Sequence, residues 1–263
     1  MKLGVCLPLN SEKLDDVKTT IANSGAQFIE GNHFALSSID KTDFDKIINF
    51  TRAMNLPITH TNCFLGSMNI FDSKELLKEG EEYVKRSFER FSGSDLKHVT
   101  FGSGVSRKSN ENRSIEDTKK IFAEFCYNTV SPLAKDYGYT VGIEPLNKGE
   151  TDVFTTAFET FEFVKKLNLP NVKMIVDYYH FALENENPLD LINYKDYISH
   201  LHIASKNKGR TAPLPEDNEG SSYITFLESV KPAIDNNVNL SIEGSINGPI
   251  NLNFDYLKLL LNN

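Results

Sequence analysis

Gly142-Ile143-Glu144-Pro145-Leu146-Asn147 is a short apolar run that ends in a carboxylate, a proline and a polar loop. A Glu at the end of a buried strand costs free energy unless something pairs with it. Three downstream segments end alike: Val176-Asp177-Tyr178-Tyr179-His180, His200-Leu201-His202 and Leu240-Ser241-Ile242-Glu243-Gly244. Each delivers an oxygen or nitrogen ligand where an apolar run stops. Glu144, Asp177, His202 and Glu243 therefore read as one divalent-metal site. Carboxylates with one imidazole and no thiolate suit Mn2+, Mg2+, Co2+ or Zn2+.

Outward from that stretch two textures alternate. Runs with strand character occur at Lys2–Leu9, Gln27–Glu30, Ile58–Phe64, His98–Gly102, Thr140–Glu144, Lys173–Asp177, Ser199–Ile203 and Asn239–Glu243. Between them apolar residues recur at helical spacing over Leu14–Ser24, Phe44–Met54, Leu76–Phe91, Asp117–Tyr137, Phe158–Leu167, Leu189–Tyr194, Tyr223–Asp235 and Asp255–Leu261. Thr156-Ala157-Phe158-Glu159 fits a capping box, and Ser114 with Asp117 is an acidic variant. Strict strand–helix alternation predicts parallel strands with crossover helices. Eight units in 263 residues predict an α/β fold, a (β/α)8 TIM barrel forming a single domain over 1–263. An open doubly wound sheet would announce itself by a glycine-rich turn after its first strand. Here that turn reads Leu9-Asn10-Ser11-Glu12, with no GxGxxG anywhere. In a barrel the carboxyl ends of the strands share one mouth, and chemistry sits there.

Composition narrows the partners. The apolar fraction is 40% and the charged fraction 24%, an ordinary globular balance. A net charge of −8 argues against tracking nucleic-acid phosphates. Cys6, Cys63 and Cys126 form neither a CxxC pair nor a disulfide framework, which points to a reducing cytoplasm. The start, Met1 to Pro8, is too soon interrupted for a signal peptide, and no window offers a membrane span. The longest polar loop runs from Ser205 to Gly220.

The segment Ile143-Glu144-Pro145-Leu146-Asn147-Lys148-Gly149-Glu150-Thr151, taken with Asp177-Tyr178-Tyr179-His180, His200-Leu201-His202 and Ile242-Glu243-Gly244, resembles the xylose isomerase-like barrel superfamily. More closely it resembles the sugar (phosphate) isomerase/epimerase branch, which includes ketose 3-epimerases, hydroxypyruvate isomerases and inosose isomerases. The resemblance implies Glu144, Asp177, His202 and Glu243 as ligands of one divalent metal ion. It implies Glu144 and Glu243 as the acid/base pair, passing a proton through a metal-stabilised enediolate. Glu150, His180 and Arg210 would contact the carbonyl end of a sugar or sugar phosphate, with Asn147 in the same loop. Homodimers and homotetramers are common in that branch. Lys148 stands where the branch often has Arg, and Ser205 where it has an acidic residue. The His202-to-Arg210 spacing is slightly long, so Lys208 is an alternative to Arg210. A metal-dependent dehydratase or lyase on a cyclitol or keto-acid would use the same ligands with a leaving hydroxyl. A binding descendant would keep the barrel without the chemistry. The superfamily's three-zinc repair endonuclease needs more histidines than the six present.

Other residues carry two readings each. His60, Asn62 and Cys63 end the third run, with His60 a candidate substrate contact and core packing the alternative. His33 could reach substrate or serve a loop, and Arg107 and Lys108 could meet a phosphate or lie solvated. His98 starts a strand and belongs to the far end. His200 shares a face with His202 one layer deeper, which favours packing. Phe64 and Phe181 could wall the sugar.

Overall fold

The structure is a computed structural model that describes residues 1–21, 23–234 and 238–262. Eight parallel strands close on themselves in chain order: β1 Leu3–Leu7, β2 Phe28–Asn32, β3 Ile58–Asn62, β4 His98–Phe101, β5 Thr140–Ile143, β6 Val172–Asp177, β7 Ile198–Ile203 and β8 Asn239–Ile242. The ring shuts between β1 and β8, where Leu3, Gly4 and Val5 pair with Leu240, Ser241 and Ile242. This is the expected (β/α)8 barrel, with every predicted strand present.

The helices are α1 Leu14–Ile21, α2 His33–Ser38, α3 Lys41–Ala53, α4 Lys74–Phe91, α5 Ile115–Phe125, α6 Ser131–Tyr137, α7 Ala157–Leu167, α8 Tyr178–Leu183, α9 Gly220–Ile234 and α10 Ile250–Leu261. Their starts are chemically marked. Asp40, Ser73, Ser114 and Thr156 each accept a first-turn N–H, which satisfies a donor that has no partner inside the helix. Glu159 completes its box from Thr155 N rather than from the cap residue.

The structure departs from expectation in four helical regions. The single helix expected over Asp117–Tyr137 is two helices joined by a π-helical turn, Cys126–Val130. Ser131 N donates to Cys126 O, and Pro132 just beyond has no N–H to continue α-helical pairing. The expected Leu189–Tyr194 helix is a 3-10 segment, Pro188–Tyr194. Helices α2 and α8 are single extra turns, capped by Asn32 and Asp177, and too short to show periodicity. Two expected helix stretches touch Ala22 and Asp235, which lie outside the described residues.

The barrel interior is unusual. Rings of Phe28, His60, His98 and His200 fill it below the mouth, with His60 centred 4.4 Å from both Phe28 and His200. Glycine makes the room. A Cβ on Gly4 would lie 2.3 Å from the Phe28 ring, and one on Gly142 would lie 2.9 Å from His98. Outward-facing Val141, Ile143, Leu201, Ile203, Leu240 and Ile242 join the apolar layer under the helices.

Candidate active site

The carboxyl ends of β5 to β8 bring the four expected ligands together. Ligand atoms of Glu144, Asp177, His202 and Glu243 all lie within 4.8 Å of one another. Glu144, Asp177 and His202 are buried, and Glu243 is only slightly exposed. His202 Nδ1 sits between two carboxylates, 3.1 Å from Glu144 Oε1 and 2.9 Å from Glu243 Oε2. Arg210 Nη2 donates to Glu243 Oε2 at 2.6 Å and to Asp177 Oδ2 at 3.2 Å. A Cβ on Gly102, just past β4, would fall 1.7 Å from Glu144 Oε2, so only glycine leaves that carboxylate in place.

Charge is out of balance here. Glu30, Glu144, Asp177 and Glu243 present four carboxyls to two cationic groups, Arg210 and His202. Burial raises Glu144, and the nearby Glu243 carboxylate raises it further. Burial pushes Asp177 up to about 7 even with Arg210 beside it. Burial also acts to raise Glu243, but the His202 and Arg210 cations outweigh it and hold that carboxyl well below its usual range. His202 goes the other way. Burial lowers it, yet Glu243 and Glu30 together lift it well above an ordinary imidazole. A cluster of oxygen donors with one imidazole and a deficit of positive charge fits a divalent cation.

His180 faces the cluster from α8. Its Nδ1 accepts from Asn147 N at 3.1 Å and lies 2.8 Å from Asn147 Nδ2, which assigns its proton to Nε2. Among the described residues Nε2 has no hydrogen-bond partner, and it lies 3.6 Å from Asp177 Oδ2. Burial, then the Arg210 charge, lowers His180 to about 3, so it is a neutral N–H donor aimed at the cluster. Glu150 Oε1 accepts from Asn147 Nδ2 at 3.0 Å and lies 3.6 Å from Arg210 Nη1. Arg210 itself has a left-handed backbone, φ +64°, and its guanidinium lies over Tyr179.

A family model described as "Xylose isomerase-like TIM barrel" matches residues 19–239. The chain belongs to that family. A D-psicose 3-epimerase from Enterocloster bolteae is 30% identical over 80 residues, 30% of this chain and 27% of the relative. An L-ribulose 3-epimerase from Methylomonas sp. (strain DH-1) is 22% identical over 143 residues, 51% of this chain and 47% of the relative. Each match thus spans less than half of the relative's length. Among solved structures, a 3-keto-D-glucoside 4-epimerase from E. coli covers 100% of both chains with a TM-score of 0.77 at 21% identity, a likeness of fold.

Within this xylose isomerase-like barrel, several other expectations resolve. His60 is not brought to the cluster. Strand alternation sets it on the inner face of β3 below Asn62, ringed by Phe28, His98 and His200. Asn62 takes the place at the mouth, where its Nδ2 donates to Glu243 Oε1 at 2.7 Å. Arg107 is neither solvated nor free for a phosphate. It is fully buried, and it donates to Phe101 O and Glu144 O, tying the ends of β4 and β5 together. His33 packs on Phe64 and Phe91 and meets Thr61 Oγ1 at 2.9 Å. Phe64 and Phe181 lie in the apolar core rather than over the mouth. His98 lies at the start of β4, as expected for the far end.

The long loop after β7 explains how a stretched spacing still delivers Arg210 rather than the exposed Lys208. Ser205 N donates to Thr211 O at 2.7 Å, and Arg210 N donates to Ser205 O at 2.8 Å, pinching the extra residues outward. Buried Glu219, whose role no local sequence pattern reveals, holds this loop from beneath. Its carboxylate accepts from Ser205 Oγ at 2.6 Å, Asn207 N at 3.1 Å and Tyr178 Oη at 3.1 Å. Glu30 was missed too, although it ends a strand as Glu144 does. Its oxygens accept from His200 Nε2 and His202 Nε2. Among the described residues no helix is long and apolar enough to cross a membrane.

Proposed function

We infer that the chain is a divalent-metal-dependent sugar epimerase or isomerase, with Glu144 and Glu243 as its proton-transfer pair. One observation carries this reading. Carboxylates from β5 and β8, three strands apart, flank the single atom His202 Nδ1 at 3.1 and 2.9 Å. Two carboxylates so placed can meet opposite faces of one substrate carbon. The sequence relatives named as ketose epimerases support a ketose as substrate.

Glu144, Asp177, His202 and Glu243 would hold the cation. When bound, a divalent ion polarises a carbonyl and so acidifies the neighbouring C–H. One glutamate then takes the proton, and the other returns one from the far face, inverting the centre. The neutral His180 Nε2–H and the Arg210 guanidinium donate to the oxygen on which negative charge develops. Glu150 and Asn147 fix the donors: Asn147 holds the His180 tautomer, and Glu150 lies beside Arg210.

The test is deuterium wash-in. Ketoses such as D-psicose and L-ribulose are incubated with the Mn2+-loaded protein in D2O and followed by NMR. The expected result is metal-dependent deuterium at the carbon beside the carbonyl together with the epimer. Loss of water without exchange into recovered substrate would assign a dehydratase instead. No exchange with any ketose, with or without metal, would leave a binding protein.

A further inference from the structure

His202 has two ring nitrogens, and the cluster uses one of them. Nδ1 faces Glu144 and Glu243, while Nε2 donates to Glu30 Oε1 at 3.0 Å. The other oxygen of Glu30, Oε2, accepts from His200 Nε2 at 2.8 Å. Glu30 belongs to β2 and both histidines to β7, so the carboxylate braces the inside of the barrel between strands that do not touch in the sheet. All three side chains are fully buried. His200 cannot easily swing away, because its ring is 4.4 Å from that of His60 and its Nε2 is also 3.1 Å from Ser241 Oγ.

A carboxylate accepts and does not donate, so the Glu30 contacts require a proton on Nε2 of each histidine. We propose that Glu30 is the positioning residue for His202: it holds the proton on Nε2, leaves the Nδ1 lone pair to the metal, and fixes the ring plane. The proposal depends on the metal reading given above. A carboxylate behind a ligating imidazole orients the ring and makes its free nitrogen a better donor. His200 serves Glu30 in turn. With one N–H on each oxygen, the buried carboxylate is satisfied and cannot rotate.

Glu30→Gln tests this with nearly unchanged shape. Its amide keeps one acceptor oxygen, and its NH2 end then meets an N–H donor. Mn2+ affinity is measured by calorimetry on metal-stripped protein, and folding by circular dichroism. Expected is a Kd weakened about 10- to 100-fold, with kcat at saturating Mn2+ close to wild type. A merely structural role would lower melting temperature and kcat alike and leave Kd unmoved, and that result overturns the proposal. Wild-type protein that binds no Mn2+ would sink the metal reading itself, a different signature from equal affinities. If the variant does not fold, long-range 1H–15N spectra of wild-type Zn2+-loaded protein decide. A proton on His202 Nε2 supports the assignment, and a proton on Nδ1 overturns it.

Discussion

The two halves of the barrel build the mouth in different ways. From β5 to β8 each strand end contributes a group that faces the common centre: Glu144, Asp177, His202 and Glu243. From β1 to β4 none of the groups identified at the mouth is a member of that set. Glu30 backs His202, Asn62 holds Glu243, Gly102 leaves space for Glu144, and Arg107 ties down the backbone under it. On the proposed function, one half supplies chemistry and the other supplies placement. The division predicts a graded response to mutation. Changes in the second half should remove function, and changes in the first half should loosen it.

The largest effect is expected at Glu243. Glu243→Gln keeps the shape and removes both a ligand charge and a proton acceptor. Turnover should fall about 10³-fold or more, with the barrel still folded by circular dichroism. Substantial residual activity would break the assignment of chemistry to this half.

The same half should dominate the response to pH. A cation binds the deprotonated ligands, so protons compete with it and affinity rises with pH. Asp177, at about 7 without metal, must lose its proton below that value, and His202, raised well above an ordinary imidazole, must release one from Nδ1. Mn2+ affinity should therefore rise with pH, and more steeply below 7, where both Asp177 and His202 give up protons, than above it. Calorimetry in buffers of differing ionisation enthalpy counts those protons. A flat profile between pH 6 and 8 would contradict the ionisation states assigned to Asp177 and His202.

Gly102→Ala carries the comparison into the first half. The new Cβ would overlap Glu144 Oε2, so the carboxylate must move by an ångström or more. A displacement of that size costs about 10²-fold in rate, without removing any reacting group. Activity near wild type would mean that Glu144 need not stay where Gly102 permits it.

Legibility in the sequence followed the same division. Polar groups at strand ends interrupt apolar runs, so Glu144, Asp177, His202 and Glu243 stand out, and the eight-fold alternation places them at one mouth. Glu30 interrupts its run just as Glu144 does. Its partners, however, lie 170 and 172 residues away and face it only once the barrel closes. Arg107 looked like a loop cation because nothing local says that its guanidinium turns inward to two carbonyls. His60 and Asn62 share a strand face with Asn62 nearer the mouth, but only closure of the barrel shows that Asn62 meets Glu243 while His60 packs among rings. Glu219 needed the fold of the 205–211 loop before its role in holding that loop could be seen. Short helices such as α2 and α8 carry too few residues for any period.

The smallest effect, and the sharpest for the comparison, is expected at Asn62. Its amide donates one 2.7 Å hydrogen bond to Glu243 Oε1 and touches no other member of the cluster by hydrogen bond. A bond to a charged acceptor contributes about 1.5 kcal/mol, which corresponds to about a tenfold loss of kcat/KM in Asn62→Ala. Arg210 and His202 still grip the other oxygen of Glu243, so the carboxylate stays in the cluster and Mn2+ affinity should change little. Asn62→Asp should cost more than the alanine, because a second negative charge then faces Glu243 where a donor stood. Steady-state kinetics of the two variants at saturating Mn2+ check both statements. If Asn62→Ala approaches the loss seen for Glu243→Gln, the first half takes part in the reaction itself and the division between chemistry and placement is wrong. If the alanine costs tenfold and the aspartate more, the placement half is measured one hydrogen bond at a time.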